Sequence, residues 1–250
     1  MHPEKLQKKA DAAEGQQELL RKQVAELRQE IEDLSYAISH DLRAPLRAVH
    51  GFAGALREDC EEQLDAQGQR YLSIITTSTH QMSRMIEGIL TLSRLGSQPM
   101  RPSEVPMQQL VEQLVSDFKK TFPDRQINFQ IGQLPNACGD LVLLQQVWSH
   151  LLINAVKFTR PKENADIEIG SSSEAGEVVY YVRDNGVGFD MKYESKLFGL
   201  FQRFHTEKEF EGTGVGLAVV RRLVRRHDGR VWAQAEVDSG ATFYFALPKG

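Results

Sequence analysis

The chain has 250 residues, a formal net charge of −4, 41% hydrophobic and 26% charged residues, with 19 Gly and 9 Pro, which excludes a disordered or fibrous protein. At about 150 residues per domain this predicts one large or two modest domains, and the slight acidity denies it the basic field that tracks nucleic-acid phosphates or anionic lipid. Cys60 and Cys138 show no CxxC or metal-ligand spacing, no apolar run approaches the roughly 20 residues of a membrane helix, and no signal-peptide pattern is present, so a cytoplasmic, reducing setting is expected.

The first third reads as helix. Ala13, Gln17, Leu20, Val24, Leu27, Ile31, Leu34 and Ile38 alternate spacings of four and three, the seam of a left-handed coiled coil. Tyr71, Ile75, Ser78, Met82, Met85, Ile89 and Leu92 repeat that spacing in a second helix. Between them the acidic cluster Glu58, Asp59, Glu61, Glu62 and Asp65, followed by Gly68, predicts a turn. Two helices in a hairpin have too little surface to bury both seams, so a homodimer forming a four-helix bundle is expected.

Gly96 to Ser103 is a linker by composition, and beyond it helix and strand signals alternate. Met107 to Phe122 is amphipathic, Ile127 to Ile131 alternates like a strand, and Asp140 is placed to cap a helix running to Phe158. Ile167 to Ile169 and Val178 to Val182 read as strands around the Glu174-Ala175-Gly176 turn, Val215 to His227 as a helix, and Arg230 to Val237 with Ala241 to Leu247 as a hairpin. The fold class expected is an all-α helical hairpin followed by an α/β (α+β) sandwich. The boundaries are a coiled-coil signalling helix over 1–30, the hairpin over 31–96, a linker over 97–105 and the sandwich over 106–250.

Several residues carry chemistry. In Ser39-His40-Asp41-Leu42-Arg43-Ala44-Pro45-Leu46 the proline deletes a helical N–H beside an outward-facing His40, and Asp41 adjoins it. A carboxylate there can take a proton from one imidazole nitrogen and leave the other as nucleophile; the plainer alternative is a surface histidine on a kinked helix. Farther on, Asn154 and Lys157 lie near a helix end, with His150 one turn before Asn154 on the same face. Asp184-Asn185-Gly186-Val187-Gly188 follows a strand, and Gly212-Thr213-Gly214-Val215-Gly216-Leu217 opens a helix whose N-terminus suits phosphate. The arginines 221, 222, 225, 226 and 230 read as a solvated face, and Trp148 and Trp232 as core or sheet-face aromatics.

The Ser39 to Leu46 string resembles the phosphoacceptor box of sensor histidine kinases, particularly the phytochrome-like group. The resemblance implies that His40 is the residue phosphorylated from ATP, that Asp41 is its base, and that the hairpin is the dimerisation and histidine phosphotransfer domain. Asn154 to Phe158, Asp184 to Gly188 and Gly212 to Leu217 resemble, in order, the N, G1 and G2 boxes of the Bergerat ATP-binding fold, which histidine kinases share with type II topoisomerases, mismatch-repair ATPases and heat-shock chaperones. Lys196 to His205 looks like the kinase F box. By this resemblance Asn154 holds Mg²⁺, Lys157 meets phosphate, Asp184 reads adenine, Gly186 and Gly188 shape the pocket, and Gly212, Thr213, Gly214, Gly216 and Leu217 form the phosphate-side loop. Arg203 and His205 become γ-phosphate contacts, and the charged stretch from His205 to Glu211 a lid.

Two departures bear on activity. Ala44 stands where phosphatase-competent relatives carry Thr or Asn, which implies weak phosphatase activity. His150 stands where many kinases have Asn and hydrolysing relatives have Glu, which disfavours a dedicated ATPase. The function implied is autophosphorylation of His40 with transfer to an aspartate on a response regulator receiver domain, under an upstream sensor domain. The alternatives are a Bergerat-fold ATPase or protein serine kinase, and a nucleotide-free coiled-coil signalling scaffold.

Overall fold

The computed structural model describes residues 3–97, 99–174, 176–205 and 209–249. Gln98 of the linker, Ala175 of the strand turn, Glu207 and Lys208 of the charged stretch, and the side chain of Ala13 lie outside the described residues. The chain divides between Gln98 and Pro99 into two compact units.

The first unit is a hairpin of α1 (Pro3–Cys60) and α2 (Ala66–Ser97) joined through a short 3₁₀ turn, Glu61–Gln63. Asp65 starts α2 by accepting the Gly68 N–H at 2.7 Å, so the chain breaks before Asp65 and Gly68 lies in the first turn of the helix. α1 runs on through Pro45, which leaves the Asp41 carbonyl without its helical donor one residue from His40.

Each helix carries two apolar stripes rather than the single seam expected. The hairpin interior buries Ser39, Ala53, Leu72, Thr79, Ile86 and Leu90. In α2 that row is shifted by one residue from the seam of Tyr71, Ile75, Met82 and Ile89, which stay 39–56% exposed. In α1 Leu20, Val24, Leu27, Ile31, Leu34 and Ile38 are likewise 44–61% exposed. A shift of one residue turns a side chain by about 100° around the helix, so one row faces the partner helix and the other faces out.

The second unit is a five-stranded mixed sheet in the order β2-β4-β5-β7-β6. Its strands are β2 (Ile127–Ile131), β4 (Ala165–Glu174), β5 (Glu177–Asp184), β6 (Arg230–Glu236) and β7 (Gly240–Pro248). β2 runs parallel to β4, and the other pairings are antiparallel. Helices α3 (Met107–Thr121), α4 (Leu141–Phe158) and α6 (Gly216–Arg226) bury apolar faces, and a four-residue α5 (Glu194–Leu197) follows the 3₁₀ turn after β5. α4 is joined to the sheet by Trp148, fully buried, whose ring lies edge-on to Tyr180 and Phe245 at 5.8 and 5.0 Å. Trp232 instead stacks on Tyr244 at 5.1 Å, with Arg230 above it at 4.3 Å.

The end of the expected linker is structured. Ser103–Val105 forms β1, antiparallel to β3 (Ala137–Gly139), in a separate two-stranded sheet. Three residues are too few for alternation to show in a sequence. This small sheet leads into Asp140, which joins three parts of the unit. Its Oδ1 accepts the Val142 and Leu143 N–H groups and caps α4, its Oδ2 accepts the Arg101 N–H, and its own N–H donates to His227 Nε2 at 3.0 Å. His227, buried and with Nδ1 donating to the Leu223 carbonyl, is held in the neutral form because burial pushes its pKa down.

Candidate functional site

In the hairpin, His40 and Asp41 are 74% and 83% exposed at the side chain, and His40 Nδ1 donates to Asp41 Oδ1 at 3.2 Å. With Nδ1 carrying the donated proton, Nε2 keeps its lone pair on a largely exposed ring.

In the second unit the site is built around the C-terminal half of α4. Arg125, from the loop before β2, donates to the Val156 carbonyl at 2.6 Å and the Thr159 carbonyl at 3.1 Å. A guanidinium fork on the last carbonyls of a helix satisfies acceptors that have no helical donor and complements the dipole. It thereby fixes the turn that carries Lys157, an anchor with no sequence signal because its partners lie 31 and 34 residues away.

Lys157 Nζ lies over the Phe158 ring, 4.1 Å from its centroid. Burial, then the nearby Arg203 and Arg160, hold its pKa down at about 8, against the opposing pull of Glu211. An alkyl group on Gly212 would sit 3.4 Å from Nζ, which places the ammonium beside the second glycine loop. His150, one turn before Asn154, lies against the same loop: a methyl on Gly216 would be 3.3 Å from its Nδ1. Its burial favours the neutral imidazole.

Asp184 ends β5 and is only 3% exposed. Oδ1 accepts the Gly186 N–H at 2.9 Å and the Ala241 N–H also acts on the carboxyl, whereas Oδ2 is buried with no hydrogen-bond partner among the described residues. The desolvated carboxyl is pushed up to about 6. An orphaned buried acceptor costs about 1–3 kcal/mol and calls for a donor supplied from outside; an exocyclic amine of an adenine-like base fits that need.

The glycine loops are pinned by backbone contacts. Gly188 sits at φ +58°, with the Glu236 carbonyl 1.9 Å from where a Cβ would be, so a side chain there is impossible without moving the β6–β7 turn. Gly186, next to the bonded Asp184 carboxylate, precedes Val187, whose N–H donates to the Phe158 carbonyl at 3.2 Å. Gly214, at φ +70°, packs against the Gln202 backbone and accepts the Phe201 N–H at 3.0 Å. Thr213 Oγ1 accepts the Val215 N–H at 3.3 Å, and no side chain caps α6, whose first turn holds Gly216 and a half-buried Leu217. The free N–H groups of that turn suit an anion.

The family resemblance makes Arg203 and His205 candidate γ-phosphate contacts, with surface residues as the alternative, and in the structure both are half-buried. Arg203 Nη2 donates to the Phe210 carbonyl at 2.7 Å. His205 Nε2 donates to the Gly188 carbonyl at 2.9 Å, and its ring packs within 5.3 Å of Phe158 and 5.2 Å of Phe210. His205 thus braces the first glycine loop, while Arg203 stays close enough to Lys157 to lower its pKa. Among the described residues no three His, Cys, Asp or Glu side chains gather as metal ligands.

Comparison with known proteins defines the class. The phospho-acceptor His kinase A domain model matches residues 30–98, and the model of the histidine kinase-, DNA gyrase B- and HSP90-like ATPase matches residues 139–250. The chain belongs to the sensor histidine kinases, of which it comprises the hairpin and the ATPase-like domain. Cyanobacterial phytochrome A from Nostoc sp. is 30% identical over 221 residues, 88% of this chain and 29% of that protein. The methanogenesis regulatory histidine kinase FilI from Methanothrix harundinacea is 34% identical over 220 residues, 88% of this chain and 25% of that protein. The chain therefore spans under a third of the length of these relatives. Full-length ShkA, solved with AMPPNP, is 26% identical with a TM-score of 0.59 over 86% of this chain and 45% of its own. The kinase ThkA, solved with the response regulator TrrA, shares the fold at 21% identity and a TM-score of 0.59 over 89% of this chain and 64% of its own.

Proposed function

We propose that this chain is the catalytic core of a sensor kinase that phosphorylates His40 from Mg-ATP and passes the phosphoryl group to an aspartate of a response regulator receiver domain. The observation that carries the reading is the buried Asp184 Oδ2, without a hydrogen-bond partner among the described residues, at the first glycine loop, in a unit where Lys157 stands beside the second and in a chain that also presents His40 with Nδ1 engaged by Asp41. ATP bound in the pocket of the second unit would donate its base amine to Asp184 Oδ2 and lay its phosphates along Gly212 to Leu217 toward Lys157. His40 Nε2 then attacks the γ-phosphorus. A P–N bond forms, the bond from that phosphorus to the β–γ bridging oxygen breaks, and ADP leaves with the electron pair. The Nδ1 proton moves to Asp41 as the imidazole would otherwise become cationic.

Asn154 would hold Mg²⁺ through its amide oxygen, and the ion when bound would neutralise phosphate charge. The exposed seams support a homodimer, since six large aliphatic side chains of α1 would otherwise stand in water. Ala44 offers no group to orient a hydrolytic water, so phosphatase activity is weak in this reading. ATP as donor places the reaction in the cytoplasm, and the stimulus would arrive through α1 from a sensor domain.

Incubation of the full chain with γ-labelled ATP and Mg²⁺ tests this. The expected result is an acid-labile, base-stable label that is lost in His40→Gln and much slowed in Asp41→Asn. Label that persists in His40→Gln sinks the phosphohistidine reading in favour of a serine kinase, and turnover to free phosphate without label points to an ATPase.

A further inference from the structure

At the mouth of the nucleotide pocket the chain gathers cations. Lys157, Arg160 and Arg203 are close enough for the two arginines to depress the lysine's pKa. An acid stands among them: Glu211, the residue immediately before Gly212, forms an ion pair with the Arg160 guanidinium and pulls the Lys157 pKa the other way. The pair joins the end of α4 to the start of the second glycine loop across 51 residues of sequence. Its side chains are 46% and 72% exposed, so it is screened and contributes little to holding the fold.

We propose that Glu211 is a built-in stand-in for nucleotide phosphate and that Arg160 is a further phosphate-contacting residue, exchanged from Glu211 to the polyphosphate when nucleotide binds. This rests on the ATP-binding reading above and adds to it a residue pair that selects for phosphorylated over unphosphorylated nucleosides. Two cations, Arg160 in the ion pair and Lys157 close by, share the single carboxylate of Glu211, and a polyanion satisfies both better than one glutamate does. Arg160 lies three residues beyond Lys157, just past the end of α4, and its guanidinium already reaches the edge of the loop that would cradle the phosphates. The exchange is easy because an exposed pair is weak, and a guanidinium prefers a phosphate that can take two of its N–H groups at once. Adenosine, which has no phosphate, leaves the Arg160–Glu211 pair intact and feels neither residue.

The test is calorimetric binding of ATP, ADP and adenosine to the full chain and its variants. Arg160→Ala is expected to weaken ATP by about tenfold, the ratio of a charge-assisted contact at a partly exposed site, and to leave adenosine unchanged. Glu211→Gln is expected to tighten ATP by about two- to fivefold, the ratio that corresponds to an exposed ion pair, again without effect on adenosine. Arg160→Lys should fall between wild type and alanine. Unchanged ATP affinity in both Arg160→Ala and Glu211→Gln overturns the inference while the nucleotide-binding reading stands. Equal weakening of ATP and adenosine in both variants also overturns it, because the pair would then be only a brace for the loop. If the wild-type chain binds none of the three nucleotides, the reading and the inference fall together.

Discussion

Nucleotide affinity should depend on pH in two limbs with separate owners. Lys157 is held at about 8 by burial and the two arginines, so it is about nine-tenths protonated at pH 7 and mostly neutral by pH 9. Phosphates close to Nζ favour the ammonium, so the complex keeps its proton after the free protein has lost it. Binding then takes up a proton above pH 8, and ATP affinity falls by about tenfold per pH unit there, ~1.4 kcal/mol. Asp184 works in the opposite sense. Its carboxyl sits at about 6 because burial disfavours the charge, and an amine donating to Oδ2 favours the carboxylate, so affinity falls as the pH drops below 6, by up to about tenfold at pH 5. Phosphate titrates near 6 as well, so the acid limb is best read with adenosine, which has no phosphate. Calorimetry from pH 5 to 9 should give adenosine a loss on the acid side only and ATP a loss on both. The alkaline limb should vanish in Lys157→Gln. A flat adenosine profile between pH 5 and 7, or an alkaline limb that survives in Lys157→Gln, would refute the assignment.

The same carboxyl makes a stability prediction. A folded-state pKa raised from 3.8 to about 6 means that the ionised Asp184 destabilises the domain at pH 8 by about 3 kcal/mol, a burden that disappears as the pH falls below the unfolded value. Asp184→Asn should therefore raise the Tm at pH 8 more than at pH 4, while abolishing nucleotide binding; a lower Tm at pH 8 would count against a desolvated carboxylate. Arg125→Ala removes the guanidinium donors to the Val156 and Thr159 carbonyls, which keep the Thr159 hydroxyl and the Lys162 N–H as partners, and should lower unfolding stability in urea by about 1 kcal/mol and weaken ATP, since Lys157 lies between the two carbonyls. Arg125→Lys should restore little, because one ammonium cannot span both acceptors as the fork does. In the hairpin, Ile31→Lys with Leu34→Lys places charges on side chains that are 60% and 61% exposed. Sedimentation should show dissociation by at least two orders of magnitude, given about 1.5–3 kcal/mol per apolar side chain lost from both copies. An unchanged sedimentation profile would rule out the seam as the contact.

Much of the fold was readable from local pattern. The capping aspartate of α4, the alternation of β2 and the hairpin of β6 and β7 all depend on residues within a few positions of one another, and those signals met the structure closely. The order of Asn154, Asp184 and the two glycine loops also lies in the chain itself. The stripe in α2 shows the limit: Tyr71, Ile75 and Met82 have ideal spacing, yet the row that packs inside the hairpin is Leu72, Thr79 and Ile86. Periodicity says that a helix has an apolar face, and an exposed threonine and a buried one give the same letter. His205 shows it again, since only the folded chain brings the Gly188 carbonyl, 17 residues away, to its ring.

The 250 residues and the net charge of −4 set little beyond size; the motifs in order determined the family and nominated the residues for its chemistry. Tertiary structure decided where charge is left unbalanced. Asp184 has an oxygen without a hydrogen-bond partner among the described residues because β5 ends under the first glycine loop, and the Lys157 pKa is depressed because the end of α4 is buried and lies beside Arg203 and Arg160. Asp140 with His227 and Arg160 with Glu211 are paired across 87 and 51 residues. Local propensity is written in neighbouring residues, whereas desolvation and Coulomb forces depend on distances in space that only the packed chain creates.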